Sequence, residues 1–250
     1  MVVCDSISKH FSDSSKKVVK AVDCVSFKTE PGTVFGLLGV NGAGKTTLLR
    51  LLSTVLTPTT GSAQINGFDV IQEPRKVRES IGFLSTSTAL YGRLTPREMI
   101  VYFAGLYGLS PSEAKNRTET IIQRLAIGEF ADRLCDKLST GQKQRVSIAR
   151  AVIHDPPVLF FDEPTAGLDV VSSQTVMEFI EQARHQGKTI IFSTHIMSEV
   201  ERLCDQIAVI HDGQVKALGT IEEFKAQTQE SSFEKAFLRL VGYISEPVLL

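Results

Sequence analysis

Gly39-Val40-Asn41-Gly42-Ala43-Gly44-Lys45-Thr46 constrains this chain more than any other stretch, because it matches G-x-x-x-x-G-K-T between two apolar segments. Val34-Phe35-Gly36-Leu37-Leu38 before it reads as a buried strand, and Lys45 to Leu56 after it reads as a helix carrying apolar Leu48, Leu49, Leu51 and Leu52. In that setting the backbone N–H groups of the loop curl around phosphate oxygens, the lysine meets terminal phosphates and the hydroxyl holds Mg²⁺. Gly39, Gly42 and Gly44 are expected to supply positive φ and clearance for an anion. The helix start adds unpaired N–H groups and the positive end of its dipole. A glycine-rich structural turn is the competing reading, and the strand and helix on either side argue against it.

At 250 residues the chain can bury a substantial core as one domain or two tightly packed lobes. A formal net charge of −1 with 22% charged residues leaves no basic field for nucleic acid. Although 42% of residues are hydrophobic, no uninterrupted apolar stretch approaches the roughly 18 to 20 residues that cross a bilayer. A soluble chain is expected. Met1-Val2-Val3-Cys4-Asp5 lacks the basic segment and apolar run of a secretory signal. Cys4, Cys24, Cys135 and Cys204 are scattered without a C-x-x-C pair, so buried reduced thiols are expected rather than a disulfide or zinc framework, which suits the cytosol.

Residues 1 to 35 read as antiparallel strands, with turns around Ser12 to Lys16 and at Pro31-Gly32. Ser62 to Phe68 and Ile81 to Leu84 read as further short strands. Thr95-Pro96-Arg97-Glu98 opens a helix with a capping box, and Ser110-Pro111-Ser112-Glu113 opens a second, so the stretch to about His154 is a candidate inserted helical lobe. Strand and helix alternation resumes at Val158 to Asp162, Val170 to Gln186, Thr189 to Ser193 and Ile196 to Leu203, the rhythm of an α/β parallel sheet. The tail from Ser232 places Phe233, Ala236, Phe237, Leu240 and Val241 at helical spacing, a face for its own domain or for a partner.

Val158-Leu159-Phe160-Phe161 is a buried-strand run that ends in two adjacent carboxylates, an unfavourable pairing unless a cation or a reacting water uses them. Neighbours on a strand point opposite ways, so their roles differ. Asp162 is assigned to the Mg²⁺ shell and Glu163 to positioning and deprotonating the attacking water. Two solvated turn acids before Pro164 are the alternative.

The glycine loop, Leu138-Ser139-Thr140-Gly141-Gln142, the Asp162-Glu163 strand end, Ala166-Gly167-Leu168-Asp169 and Ser193-Thr194-His195 together resemble an ATP-binding cassette (ABC) ATPase over nearly the whole chain. Within that family the chain is similar to the sodium-efflux and multidrug-export subunits of the Nat type, through Gly82-Phe83-Leu84 to Glu98 and the closing Glu234 to Leu240. The resemblance implies a P-loop NTPase core with a parallel sheet, an N-terminal antiparallel β subdomain and the helical lobe. The core would span 1–86 and 156–226, the lobe 87–155, and a C-terminal helical tail 227–250.

By residue, the resemblance implies that Phe11 stacks on adenine, a position where a core role is the alternative. Gly39, Asn41, Gly42, Ala43, Gly44, Lys45, Thr46 and Thr47 would cradle the phosphates of ATP, with Thr46 and Asp162 on Mg²⁺ and Glu163 and His195 at the reacting centre. The other histidines, His10, His154, His185 and His211, lack comparable context. Ser139, Gly141 and Gln142 open a helix whose tip would serve the ATP of a second, head-to-tail subunit, and Asp169 would connect the two sites. The implied partners are that second copy and a membrane-spanning permease, which would place the chain in the cytoplasm, peripheral on the inner face of the membrane. Ala89, Leu90 and Tyr91 would lie at the groove for a permease helix or in the core.

Two positions depart from the family pattern. Ser85-Thr86 stands where a glutamine is usual, and Thr140 stands where glycine is usual, with a Cβ that would crowd the helix start or demand another φ. The implied function is ATP hydrolysis powering export of Na⁺ or a small amphiphile. The alternatives are a non-transport ATPase acting on nucleic acid or the ribosome, and a nucleotide-sensing module with little turnover.

Overall fold

The computed structural model describes residues 1–12, 18–85 and 89–243. β1 (Val2–Ser12) and β2 (Val18–Lys28) pair antiparallel, and β3 (Val34–Leu38) runs into the glycine loop and α1 (Lys45–Leu52). The helix expected to reach Leu56 stops at Leu52, because Thr54 adopts φ +62° and turns the chain. The strand expected over Ser62 to Phe68 is two, β4 (Thr60–Ile65) and β5 (Phe68–Asp69). Asn66 and Gly67, at φ +51° and +83°, fold them into a two-residue hairpin. These four outer strands form an antiparallel sheet in the order β2-β1-β4-β5.

After α2 (Pro74–Ser80) and β6 (Ile81–Leu84) the chain leaves the core for α3 (Pro96–Leu106), α4 (Pro111–Arg124) and α5 (Thr140–Val152). Thr95 and Ser110 cap α3 and α4 in full capping boxes with Glu98 and Glu113. The chain returns through β7 (Val158–Asp162), α6 (Val170–His185), β8 (Thr189–Thr194), α7 (Met197–Leu203), β9 (Gln206–His211) and β10 (Gln214–Gly219). Among the described residues the second sheet has the order β10-β9-β3-β8-β7-β6, parallel except for β10, which pairs antiparallel with β9.

The central strands are buried on both faces. Phe160 and Ile191 pack with α1 and the outer sheet, while Leu159, Phe161 and Phe192 pack with the helical lobe and α6. Asp162, at the end of β7, and Thr194, at the end of β8, lie where these covered strands stop. The tail helix packs on its own chain: α8 (Ile221–Thr228) and α9 (Phe233–Leu240) bury Phe224, Phe233, Ala236 and Phe237 against Leu38, Ile207 and Val209. The boundary expected between 226 and 227 therefore falls inside α8. All four thiols are free, with Cys4 and Cys135 buried and Cys204 half-buried; Cys24 departs from expectation by being exposed.

Candidate nucleotide site

The N-terminus of α1 is open. Five other helices start under a side-chain cap, from Thr95, Ser110, Ser139, Asp169 and Thr220. α1 starts at Gly44 with no side-chain hydrogen bond, so its first amides keep no acceptor from the chain's own caps. Gly44 sits at φ +108°, and a Cβ there would lie 2.3 Å from the Ala21 carbonyl of β2. Gly42 also takes positive φ, whereas Gly39 does not; what Gly39 supplies is clearance, since its Cβ would meet the Ile210 carbonyl at 2.3 Å. The loop walls a cavity of about 460 Å³ together with Ala21, Asn41, Ala43, Thr47 and Glu163.

Lys45 is buried, 4% exposed, and Nζ donates to the carbonyls of Gly39 at 2.7 Å and Val40 at 3.2 Å. It also lies 3.4 Å from Glu163 Oε1. The Thr46 hydroxyl donates to Asp162 Oδ1 at 3.0 Å, and the Ser193 hydroxyl donates to the same oxygen at 2.7 Å. Asp162 Oδ2 is buried with no hydrogen-bond partner among the described residues. Burial pushes the Asp162 carboxyl above the ordinary carboxylate range, opposed by the Ser193 and Thr46 hydroxyls, with Glu163 adding a smaller push in the same direction as burial.

Glu163 does not continue the strand. It takes φ +46°, a costly conformation for a residue with a Cβ. Ser193 holds it there: the Glu163 N–H donates to the Ser193 hydroxyl at 3.0 Å and lies 3.1 Å from the Ser193 carbonyl. This turn swings Glu163 Oε1 to 3.3 Å from His195 Nδ1, so one carboxylate lies between a lysine and a histidine. Sequence reasoning named Ser193 only as part of a tripeptide and missed its contact with both acids. It also missed Gln144, whose Nε2 donates to the Pro164 carbonyl at 2.7 Å and so joins α5 to the Glu163 turn. A third omission is Glu199, buried on α7 against Thr165 and Thr194.

Ser139, Gly141 and Gln142 do not line this cavity. Ser139 caps α5, with its oxygen accepting from the Gln142 N–H at 3.3 Å and its own N–H donating to Gln142 Oε1 at 3.0 Å. Among the described residues the Ser139 hydroxyl donates to no acceptor. Gly141 is required by packing, because a Cβ there would lie 2.3 Å from Ser172 Oγ. Thr140 is exposed at the first position of α5, so the crowding expected of its Cβ does not arise within the chain. Asp169 caps α6 through Ser172, accepting its N–H at 2.9 Å and its hydroxyl at 2.8 Å; these bonds hold its carboxyl below the ordinary range. Phe11 is half exposed on β1, paired with Val19, two residues along β2 from cavity-lining Ala21. Thr86 lies outside the described residues, as do Asp13 to Lys16 of the first expected turn.

A glycine loop under an uncapped helix, a lysine inside it and two acids at the end of a parallel strand one removed from the loop's own strand define a P-loop ATPase cassette. Residues 22–166 match the family described as ABC transporter. The chain is 43% identical to the ABC transporter ATP-binding protein NatA of Bacillus subtilis (strain 168) over 247 residues, covering 98% of this chain and 100% of that protein. It is 34% identical over 249 residues to the daunorubicin resistance ATP-binding protein DrrA3 of Streptomyces coeruleorubidus, covering 100% of this chain and 77% of that one. An ATP-binding subunit of an ABC transporter superposes with a TM-score of 0.85 at 28% identity, over 96% of this chain and 99% of that chain. A dimeric post-hydrolysis state of the cassette MJ0796 bound to ADP and Pi superposes with a TM-score of 0.80 at 26% identity, over 88% of this chain and 98% of that chain. The chain belongs to the ABC transporter ATP-binding family, and it is the subunit that binds and hydrolyses ATP.

Proposed function

We infer that two copies of this chain close head to tail on two MgATP molecules, hydrolyse them, and pass the closing motion to separate membrane-spanning subunits. The carrying observation is one contact cluster drawn from three separate segments: Lys45, Thr46 and Glu163 line the cavity, Asp162 is bonded to Thr46, and His195 lies against Glu163.

Asp162 Oδ2, buried and without a partner among the described residues, fits a cation, and the Thr46 hydroxyl, bonded to the same carboxylate through Oδ1, completes a hard oxygen pair. Mg²⁺ held there supplies charge neutralisation to the phosphates. Lys45 draws the terminal phosphates inward, Asn41 to Gly44 and Thr47 present their amides and hydroxyl, and Phe11 stacks on the adenine. Glu163 accepts a proton from the attacking water, and His195 contacts the γ-phosphate and keeps the carboxylate aimed. Ser139, Gly141 and Gln142 of one copy reach the nucleotide of the other, and Asp169 links the two sites.

The exposed Tyr91 and Tyr102, edge to face at 6.3 Å on the helical lobe, support a groove for a permease helix beside Ala89 and Leu90. Among the described residues no helix is long and apolar enough to cross a membrane, so the cargo path is assigned to the partner. That assignment puts the chain on the cytoplasmic face. Export of Na⁺ or a small amphiphile is the cargo reading. It draws on the likeness to NatA and to drug-resistance cassettes.

The test is the mass of a Glu163→Gln variant by light scattering. A dimer with saturating MgATP and a monomer with MgADP is the expected pair of results. A monomer under saturating MgATP, with and without the membrane partner, overturns the reading.

A further inference from the structure

The Glu199 carboxylate is 6% exposed, and both of its oxygens are engaged by hydroxyls from the two loops that build the reacting centre. Thr165 Oγ1 donates to Oε1 at 2.5 Å, and Thr194 Oγ1 donates to Oε2 at 2.6 Å. Thr165 follows Glu163 by two residues and Thr194 immediately precedes His195, and both are buried. Glu199, Thr165 and Thr194 do not line the cavity.

The Thr194 contact has a second half. With its proton given to Glu199, the Thr194 oxygen accepts the N–H of Ile196 at 3.0 Å, closing a side-chain turn around His195. The backbone that carries His195 is thereby restrained by a hydroxyl that Glu199 engages. On the other loop, Glu163 sits at φ +46° and needs a surrounding that over-determines it. Ser193 supplies one restraint on that turn and the Glu199–Thr165 bond supplies another.

We propose that Glu199 is a positioning residue for ATP hydrolysis, a buried clamp that fixes His195 and the Glu163 turn relative to one another without touching the nucleotide. This rests on the reading above in which His195 and Glu163 act on the γ-phosphate. A single carboxylate that spans both loops couples their motion, so loosening it moves the imidazole off the 3.3 Å contact with Glu163. Misplacement on the order of 1 Å costs about 10²-fold in rate.

The test is steady-state phosphate release by the full-length protein at saturating MgATP, with ATP binding measured separately. Glu199→Ala is expected to lower kcat by about 10- to 100-fold while KM for ATP stays within about twofold. Glu199→Gln is expected to keep most of the activity, because its amide oxygen accepts one hydroxyl and its NH₂ donates to the other. In a His195→Ala background, Glu199→Ala is expected to cost several-fold less than in the wild type, since the clamp then holds only the Glu163 turn and no longer a pair to align.

Multiplicative losses in the double variant overturn the proposal, as does a Gln variant no better than Ala. If Glu199→Ala does not fold, Thr194→Val carries the same cycle: a loss in the wild-type background that disappears with His195→Ala supports the clamp, and equal losses refute it. Hydrolysis unchanged by His195→Ala alone would instead reject the role of His195 itself, so the two failures are distinct.

Discussion

Lys45 Nζ and Glu163 Oε1 lie 3.4 Å apart, so the side chains assigned to the terminal phosphates and to the attacking water form an ion pair with each other. The lysine side chain is 4% exposed and the glutamate 18%; the ammonium also donates to the Gly39 carbonyl, and the Glu163 backbone N–H donates to the Ser193 hydroxyl. Phosphate must therefore compete with contacts the chain already makes.

Replacing Glu163 by Gln keeps the shape of the turn and removes the proton acceptor. ATP binding is expected to persist while turnover falls by about 10² to 10⁴, the range for loss of a general base. Steady-state phosphate release checks this, and unchanged release would reject the assigned base.

Replacing Lys45 by Ala removes a charge-assisted contact worth about 1.5 to 3 kcal/mol. Because Gly39, Val40 and Glu163 already engage the ammonium, the lower half of that range is expected in the ATP dissociation constant. Calorimetric titration reads it directly, and affinity equal to wild type would contradict the contact.

Asp162 has a raised carboxyl pKa, caused first by burial. A raised acid is stabilising while protonated, and that contribution is lost as pH climbs from the ordinary carboxylate range through the raised value. Asp162→Asn stays neutral throughout, so its stability relative to wild type is expected to increase over that climb, with loss of Mg²⁺-dependent hydrolysis. Urea midpoints of both proteins without nucleotide at acid and neutral pH test this; a difference independent of pH counts against it.

His154 stacks on Tyr107, with ring centroids 3.6 Å apart, and Nε2 lies 3.0 Å from the Ile81 carbonyl. Burial pulls its pKa from 6.5 down to about 4, against the smaller upward effect of the Ile81 bond. A depressed histidine is stabilising while neutral, so stability drains as pH falls from about 6.5 towards about 4. His154→Phe keeps the stack without the titration and is expected to lose less stability across that window. Denaturation midpoints at its two ends decide, and parallel losses in both proteins would refute the assignment.

The site was legible wherever chemistry follows the chain locally. The glycine loop between Val34-Leu38 and Leu48-Leu52, the capping boxes at Thr95 and Ser110, and the apolar run into Asp162 each carry their signal within one short continuous stretch. The β9–β10 hairpin carried one too, in Asp212-Gly213 between apolar strands, and was passed over; Asp212 and Gly213 adopt φ +48° and +75°. Glu199 was a different case. A glutamate on a short amphipathic helix reads as solvated, and nothing near it in sequence announces that Thr165, 34 residues away, will bury it.

Local backbone preference and apolar period, which act over a few residues, were sufficient to write the strand, loop and helix of the phosphate cradle into the sequence itself. Contact between Thr46 and Asp162 spans 116 positions, and the acid at Glu163 turns towards His195 only because Ser193 on the neighbouring strand holds it. Those placements came from the tertiary structure alone. A buried polar atom must find its partner in three dimensions, and the choice of partner depends on which strands the sheet sets side by side.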